Sequence, residues 1–309
     1  MSTTLSVVIP VFNEEKNLPL LYSRLGKTLN KLTSSYEIIF INDGSKDNSL
    51  EKLISLRKKD KKVKIISFSR NFGHMPAIAA GIKHAKGRKV VIMDADLQDP
   101  PEIILKMYKK AKEGYDVVYG IKRKRKESLA RRFLFKSFYR ILNGISTFQM
   151  PLDAGTFSLV DKKVISILSR MPEKNKYLSG LRAWVGFRQT GVFYERGKRY
   201  AGKEASFRRL TKLALDGMIS FSYLPLRLAS IFGFICAAIA VIAIVAVFIL
   251  KIFFGWGIIG WASTITTVLL LSSAQLITLG IIGEYLARIY DEIKGRPEYI
   301  ISKKIGIKN

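Results

Sequence analysis

The chain has 309 residues, which is long enough for one large domain or two ordinary ones, each with a sizeable core. It carries 52 Lys and Arg against 24 Asp and Glu, a formal net charge of +28, and this balance favours anionic partners such as nucleic acid, anionic lipid or a phosphorylated substrate. Cys236 is the single cysteine and His74 and His84 are the two histidines, so a disulfide within the chain is excluded and a structural zinc site is disfavoured.

Residues 1–121 alternate short aliphatic runs with helical patterns. The runs are LSVVIPVF, YEIIFIND, VKIISFS, KVVIMDAD and DVVYGIK. Segments between them, such as PPEIILKMYKKAKEG, carry apolar residues at helical spacing. The alternation predicts an α/β domain with a mainly parallel sheet and helices on both faces. No basic region precedes the first run, so no signal peptide is expected, and no G-x-G-x-x-G follows it, which disfavours a dinucleotide oxidoreductase.

Polar segments follow the second and fourth runs, NDGS at residues 42–45 and DADLQD at residues 94–99. Ligands of such sheets bind beyond the carboxyl ends of the strands. Asp94 and Asp96 point to the same side of an extended segment, and Gln98 continues the row. Paired carboxylates repel unless a cation or proton lies between them, and hard oxygen ligands completed by diphosphate and water suit Mg²⁺ or Mn²⁺. An acidic loop without a ligand is the alternative for this motif taken alone.

A basic run, KRKRK at residues 122–126, is either a mobile charged loop near the active-site mouth or a solvated segment. After it, apolar residues fall on one helical face and basic residues on the others. The apolar set is Leu129, Phe133, Leu134, Phe138, Ile141 and Leu142, and the basic set is Arg131, Arg132, Lys136 and Arg140. The pattern predicts an amphipathic helix at a membrane interface. An ordinary helix packed on the domain is the alternative.

Two uncharged runs follow, 23 residues at 228–250 and 32 residues at 252–283, separated by Lys251. The first would be about 34 Å long as a helix, enough to cross a hydrocarbon core of about 30 Å. We therefore predict a transmembrane hairpin with helices at about 228–250 and 259–283, a buried hairpin of a soluble protein being the alternative. Basic residues flank the hairpin, which places both termini and the catalytic part in the cytoplasm.

These patterns divide the chain into four parts. They are an α/β core at 1–121, a region with amphipathic and juxtamembrane helices at 122–227, the transmembrane hairpin at 228–283, and a cytoplasmic tail at 284–309. Small residues in the second apolar run permit close helix packing within one chain or in a homo-oligomer. They are Ser272, Ser273, Gly280 and Gly283.

Seven segments together resemble the polyprenyl-phosphate glycosyltransferases of glycosyltransferase family 2. They are SVVIPVFNEEKNL, FINDGSKDNS, SRNFGHMPAIAAGI, DADLQDPPE, DAGTFSLVDKKVI, WVGFRQTGVFYERGKRYAGKEASF and GEYLARIYDEIKGRPEYII. The resemblance spans nearly the whole chain and is closest to bacterial bactoprenol (undecaprenyl-phosphate) glucosyltransferases, with dolichol-phosphate mannose synthases more distant. It implies a Rossmann-like GT-A domain with its nucleotide-sugar-binding core at 1–121 and the remainder of the catalytic domain at 122–227. It also implies a nucleotide-sugar donor, a divalent metal, a lipid-phosphate acceptor and inversion at the anomeric carbon.

The resemblance also implies roles for individual residues. The nucleotide-sugar pocket would contain Pro10, Phe12, Asn13, Glu14, Asp43, Gly73, His74, Asp94 and Ala95. Asp43 would contact the base or ribose, Asp94 the ribose or a metal-bound water, and Asp96 would be the direct metal ligand in catalysis. Gln98 would approach the sugar or the metal. A helix cap is the alternative for His74.

This chain departs from the family's sequence pattern at three positions, Phe12, Thr156 and Ser158. Family members often have Tyr at the position of Phe12, so a contact through that hydroxyl is lost. They tend to have an acidic or polar residue at Thr156 and Arg at Ser158, so a sugar contact there is not expected.

The implied acceptor is a phosphate monoester whose second pKa is about 6, so it is mostly a dianion at neutral pH and already a competent nucleophile. Asp153 is therefore a candidate for positioning or proton handling, with a structural loop role as the alternative. Candidates for holding the lipid phosphate are Arg131, Arg140, Arg199 and Lys203. Headgroup attraction of about 1 kcal/mol per residue is the alternative for these four.

The expected function is transfer of a hexose, glucose from UDP-glucose in the first place, to undecaprenyl phosphate at the cytoplasmic face of the inner membrane. The same chemistry with a GDP-mannose or UDP-aminoarabinose type of donor is one alternative. A basic membrane-anchored binding protein without chemistry is another, although it does not explain the acidic segment. No recognisable nucleic-acid module occurs in the sequence, so no nucleic-acid partner is expected.

Overall fold

The computed structural model describes residues 3–122, 154–171, 173, 178–197, 224–254 and 260–307. The chain divides into two compact units. The first comprises Met1–Leu213 together with Pro297–Asn309, and the second comprises Ala214–Arg296. The last residues of the chain therefore belong to the same unit as the first ones.

Helices and strands alternate through the described part of the first unit. They are β1 (Leu5–Val11), α1 (Leu18–Asn30), β2 (Tyr36–Asn42), α2 (Ser49–Lys59), β3 (Val63–Phe68), α3 (His74–His84), β4 (Lys89–Ile92), α4 (Ile103–Lys112), β5 (Val117–Lys122), β6 (Ala154–Asp161), α5 (Lys162–Arg170), α6 (Leu178–Trp184), β7 (Gln189–Tyr194) and β8 (Ile301–Ile305). The strands form one eight-stranded sheet in the order β7-β5-β6-β4-β1-β2-β3-β8.

The sheet is mixed. β1 pairs in parallel with β2 and β4, β2 with β3, and β5 with β7. β6 is antiparallel to β4 and β5, and β8 is antiparallel to β3. All five aliphatic runs of the first 121 residues form strands, as predicted, and the α/β GT-A-like architecture is confirmed. Parallel pairing dominates the centre, while β6 and β8 make the antiparallel contacts.

Burial explains why these segments become strands and helices. Every residue of β1 and β2 is buried, as expected for central strands of a sheet covered by helices. On α1 the leucines Leu18, Leu21, Leu25 and Leu29 recur at helical spacing and are each 0% exposed. Burying one such side chain contributes about 1.5–3 kcal/mol, so this stripe fixes which face of α1 lies on the sheet.

The second unit contains two long helices, α7 (Leu224–Phe254) and α8 (Trp261–Ile293), of 31 and 33 residues. Among the described residues, Leu270–Ile293 is long and apolar enough to cross a membrane by length and composition, and Ile231–Ile242 is a shorter apolar stretch. Large apolar side chains on both helices are exposed, Phe234 at 77% and Ile277 at 66%. The helices thus occur where predicted, and the two-span hairpin stays a prediction.

The second helix runs beyond its predicted end at residue 283 to Ile293. The prediction stopped where charged residues begin, at Glu284. Glu284 and Arg288 form an ion pair one helical turn apart, with Nη2 and Oε1 separated by 3.4 Å, a spacing that supports a helix outside an apolar environment. The predicted interfacial helix after Lys122 lies outside the described residues.

Candidate active site

Polar loops follow β1 and β2 at their carboxyl ends, and Asn13 joins them. Its backbone N–H donates to Ser45 Oγ at 3.1 Å, and its Oδ1 accepts from the N–H of Lys46 at 2.8 Å. Asn13 has a φ of 56°, a left-handed conformation that Asn tolerates better than most residues. The loops that carry FNEE and NDGS are therefore held together by side-chain to backbone hydrogen bonds from both loops.

The neighbours of Asn13 divide between the core and the surface. Pro10 is buried within β1, whereas the ring of Phe12 is 43% exposed. The backbone N–H of Glu14 donates to Ser49 Oγ at 3.0 Å, and the Glu14 carboxylate accepts a hydrogen bond from the Asn17 amide. Phe12 therefore presents an exposed aromatic ring beside the two loops.

Asp43 fixes the loop that follows β3. Its two carboxylate oxygens accept from the backbone N–H groups of Phe72 and Gly73, at 2.7 and 2.9 Å. Burial raises the pKa of Asp43 above its usual value, and these two donors together with the charges of His74 and Arg70 oppose that rise. A carboxylate has about four acceptor positions, so Asp43 can hold this loop and still accept from a ligand.

The loop after β4 carries the acidic pair, and its first member is bonded to a histidine. His74 Nε2 and Asp94 Oδ1 are 2.7 Å apart, with side chains 34% and 31% exposed. Burial alone would raise the pKa of Asp94, but the hydrogen bond and charge of His74 and the charges of Lys122 and Arg196 lower it. These groups therefore favour the ionised form of the Asp94 carboxylate.

The second acidic residue, Asp96, lies in a tightly turned segment. Its Oδ1 accepts from the N–H of Gln98 at 3.0 Å. Leu97 between them has a φ of 62° and is 5% exposed, and Ala95 is buried at 3%. A left-handed Leu is strained and persists only where its surroundings enforce it. The carbonyl of Gln98 accepts from the N–H of Gly197 at 2.9 Å, which is one such constraint.

The third aspartate, Asp99, pairs with the end of β7. Asp99 and Tyr194 are each 3% exposed, and the Tyr194 hydroxyl donates to Asp99 Oδ1. Burial raises the pKa of Asp99, and repulsion from Asp94 and Asp96 adds to this. Burial likewise raises the pKa of Tyr194, and the Asp99 charge adds to it. This pair and the Gly197 bond attach the acidic segment to β7.

Asp99, Tyr194 and Arg196 are site residues that the sequence alone does not single out. Asp99 was visible as the third aspartate of DADLQD. The segment VFYERG was part of the resemblance, but Tyr194 lies 95 positions from Asp99, and spacing alone does not pair residues so far apart. Lys122 was treated only as the start of a basic run.

The acidic pair fits a hard cation only in part. Among the residues that the structure describes, no group of three or more His, Cys, Asp or Glu side chains could hold a metal. Asp94 and Asp96 offer carboxylate oxygens, which suit Mg²⁺ or Mn²⁺. Magnesium sites commonly use one or two carboxylates and take their remaining ligands from substrate phosphate and water. The residues present therefore fit a metal that binds together with a diphosphate.

The structure brings most described candidates to one edge of the sheet. Those linked there by hydrogen bonds are Asn13, Asp43, Gly73, His74, Asp94, Asp96 and Gln98. Ser158 is 0% exposed and donates to the carbonyl of Thr156 at 2.9 Å. Five candidates lie outside the described residues. They are Arg131, Arg140, Asp153, Arg199 and Lys203.

Comparisons with known proteins agree with this architecture. The model of the family described as glycosyl transferase family 2 matches residues 6–168. The chain is 46% identical over 306 residues to a Bacillus subtilis protein named uncharacterized glycosyltransferase YkcC, covering 98% of this chain and 95% of that protein. It is 38% identical over 301 residues to the SfII prophage-derived bactoprenol glucosyl transferase of Shigella flexneri, covering 97% of each.

Among solved structures, the chain is similar to glucosyl-3-phosphoglycerate synthase from Mycobacterium tuberculosis in complex with Mn²⁺, UDP and phosphoglyceric acid. The TM-score is 0.44 at 19% identity, covering 69% of this chain and 75% of that one. The family match and the near-full-length identities confirm the resemblance inferred from the sequence. The chain belongs to glycosyltransferase family 2.

Proposed function

We propose that the protein transfers glucose from UDP-glucose to undecaprenyl phosphate at the cytoplasmic face of the inner membrane. The observation that carries the chemistry is the acidic pair, Asp94 and Asp96, in the loop after β4 at the carboxyl edge of the sheet in a family 2 chain. The substrates follow from near-full-length relatives named bactoprenol glucosyl transferase. Other nucleotide sugars are tested as alternatives in the experiment below.

The loops after β1, β2 and β3 would bind the nucleotide. Asn13 and Asp43 hold these loops in one arrangement through side-chain to backbone bonds, so the pocket is formed before the donor arrives. The exposed ring of Phe12 offers a flat apolar surface to the base, and Asp43 retains acceptor capacity for the base or ribose.

The acidic segment would hold the metal. Asp96 is the proposed direct ligand, and Asp94 acts beside it or through a metal-bound water. When bound, Mg²⁺ or Mn²⁺ neutralises the donor diphosphate and stabilises it as a leaving group. His74 fixes the orientation of the Asp94 carboxylate through its 2.7 Å bond. The segment turns at Leu97, so Asp94, Asp96 and Gln98 do not form the extended row that the sequence predicts, and Gln98 is 8% exposed.

The reaction is a single displacement at the anomeric carbon. An oxygen of the acceptor phosphate forms the new bond to C1 of the glucose while the bond from C1 to the diphosphate oxygen breaks, and its electron pair leaves with UDP. A phosphate dianion needs no deprotonation, so Asp153 serves for positioning. Lys122 and Arg196, whose charges already act on Asp94, would reduce the repulsion between the two phosphate-bearing substrates.

Membrane attachment would place the acceptor. We assign both long helices as membrane spans, with both termini and the catalytic unit cytoplasmic, because basic residues flank the apolar runs. Arg131, Arg140, Arg199 and Lys203 remain our candidates for the lipid phosphate. The exposed apolar side chains of α7 and α8 require lipid or a second copy of the chain to cover them. A homo-oligomer is therefore part of the proposal.

The test is a transfer assay with the full chain in detergent or native membranes. Radiolabelled UDP-glucose, undecaprenyl phosphate and Mg²⁺ should yield a labelled lipid, and chelation of the metal should abolish it. Parallel reactions with labelled UDP-galactose, GDP-mannose and UDP-aminoarabinose identify the donor. Label in a lipid from another sugar alone would overturn the glucose assignment, and no labelled lipid from any of the donors would overturn the proposed function.

A further inference from the structure

The end of the chain completes the sheet of the catalytic unit. Residues from Pro297 onward belong to that unit although they follow the two long helices in sequence. β8 pairs antiparallel with β3, Ile305 opposite Ile65 and Ile301 opposite Phe68. The pairing continues beyond β3, because the N–H of Ser69 donates to the carbonyl of Ile300 at 3.0 Å. The tail therefore reaches the loop that leaves β3 toward the active site.

An aromatic stack extends from the tail into this loop. The rings of Tyr299 and Phe68 are stacked, with centroids 5.0 Å apart and an interplanar angle of 9°. Phe68 meets Phe72 edge to face at 5.7 Å and 90°. The guanidinium of Arg70 lies over the Phe72 ring, 4.1 Å from its centroid. Both ring arrangements are favourable aromatic geometries, so Tyr299 supports Phe72 through one intervening ring.

Phe72 in turn is bonded to the proposed donor site. Its N–H and that of Gly73 are the two donors to the Asp43 carboxylate, and the next residue, His74, holds Asp94. The same loop packs closely on Gly44, where an added Cβ would lie 2.4 Å from the carbonyl carbon of Arg70. Residues 69–73 are thus held from one side by the loop after β2 and from the other by the tail.

We propose that Tyr299 is a positioning residue for donor binding. Its ring keeps Phe72 in place, and Phe72 keeps the backbone donors of Asp43 and the start of α3 in the arrangement that receives the nucleotide. The inference rests on the proposed function and deepens it, because it makes donor binding depend on a segment that follows both long helices. A merely structural role is also conceivable for β8, since it covers the edge of β3. That role predicts lower thermal stability without a specific change in donor affinity.

The experiment uses the full chain and three variants. Tyr299→Ala removes the stack, Tyr299→Phe keeps the ring, and Lys303→Ala alters an exposed residue of β8, the strand that follows Tyr299. We expect the alanine variant to raise the donor KM and the UDP Kd roughly 3- to 10-fold, the size that loss of one aromatic pair supports. Its kcat should change less than the KM. Tyr299→Phe and Lys303→Ala should both retain the wild-type KM.

Two outcomes overturn the inference. One is a donor KM for Tyr299→Ala equal to that of Lys303→Ala, and the other is a Tyr299→Phe variant as impaired as the alanine variant. If Tyr299→Ala does not accumulate as folded protein, Tyr299→Leu replaces it, with the same increase in KM expected and a wild-type KM contradicting the proposal. A wild-type chain that fails to bind UDP refutes the proposed function instead, so the two failures are distinguishable.

Discussion

Polar side chains at the carboxyl edge of the sheet do different things in two neighbouring regions. In the donor half, residues 12–15, 43–46 and 69–73, they bond mainly to backbone N–H groups. Asn13 accepts from Lys46, and Asp43 accepts from Phe72 and Gly73. In the acidic half, residues 94–99 and 194–197, carboxylates face cations and one another, with Asp94 beside His74 and near Arg196.

The donor half supplies the shape of the pocket, and the acidic half supplies its charge. Carboxylates and amides that hold backbone N–H groups build a fixed pocket, and that pocket determines affinity. A carboxylate whose charge is balanced by neighbouring side chains, as Asp94 is by Lys122 and Arg196, can instead change partners when a metal and a diphosphate arrive. We therefore expect substitutions in the donor half to act mainly on the donor KM and substitutions in the acidic half to act mainly on kcat.

The largest effect should come from Asp96→Ala. Loss of the direct metal ligand removes several kcal/mol of charge neutralisation, so kcat should fall at least about 1,000-fold. The radiolabel assay measures it, with thermal unfolding to show that the variant is folded. Glu113→Gln, which alters an exposed acidic residue paired with Lys110, is the matched control. Retention of more than a few per cent of wild-type activity in Asp96→Ala would remove the metal assignment.

His74→Ala should have the next largest effect and should change the pH profile. Without the histidine bond the pKa of Asp94 rises, because His74 is the first of the groups that lower it. We expect kcat to fall about 10- to 100-fold, in the range for residues that orient a metal ligand. The acid side of the pH–rate profile should also move to higher pH, since Asp94 is protonated earlier as the pH falls. An unchanged profile would argue against the pairing of these residues.

Asp43→Asn tests the expectation for the donor half. The amide places an NH₂ group against one of the two backbone donors, so the loop after β3 should shift. We expect the donor KM to rise about 10-fold with kcat nearly unchanged, as for the loss of one hydrogen bond to a charged group. Initial rates over a range of donor concentrations give the donor KM and kcat separately. A fall in kcat with an unchanged KM would break the division between the halves.

Tyr194→Phe should give the smallest change. It removes one hydroxyl and leaves the buried Asp99 without that donor, which lowers the free energy of unfolding by about 1–3 kcal/mol. We expect a fewfold decrease in kcat, because the acidic segment loses one attachment to β7. Chemical denaturation and the transfer assay measure these effects, with the nearby exposed Phe193→Leu as control. An effect as large as that of Asp96→Ala would mean that Tyr194 contacts substrate.

The individual strands of the first 121 residues were predictable. Five aliphatic runs became β1–β5, because each is a short apolar run bounded by helical patterns. Their order in the sheet was not predictable, since β4 pairs with β1, and β5 pairs with β6 and β7. β8 was missed since ISKKI is a short edge strand with three exposed residues, and such patterns resemble a polar tail. Its partner β3 lies more than two hundred positions earlier, with Ser302 donating to the carbonyl of Ser67 at a separation of 235.

The candidate site was likewise predictable only in part. NDGS and DADLQD were found because they directly follow buried strands, which places them at the ligand edge. The attachment of Asp99 to Tyr194 and the charge of Arg196 near Asp94 depend on β7 folding beside β5. Spacing carries no information about such a contact, and the pairing of His74 with Asp94 likewise follows from the fold.

The most direct test of the central claim is UDP binding by calorimetry with and without Mn²⁺, in the wild type and in Asp96→Ala. If the Asp96 carboxylate holds a metal that also binds the diphosphate, Mn²⁺ should tighten UDP binding to the wild type by at least about tenfold, about 1.4 kcal/mol, and should leave the variant nearly unchanged. The same Mn²⁺-dependent gain in both proteins would contradict the account.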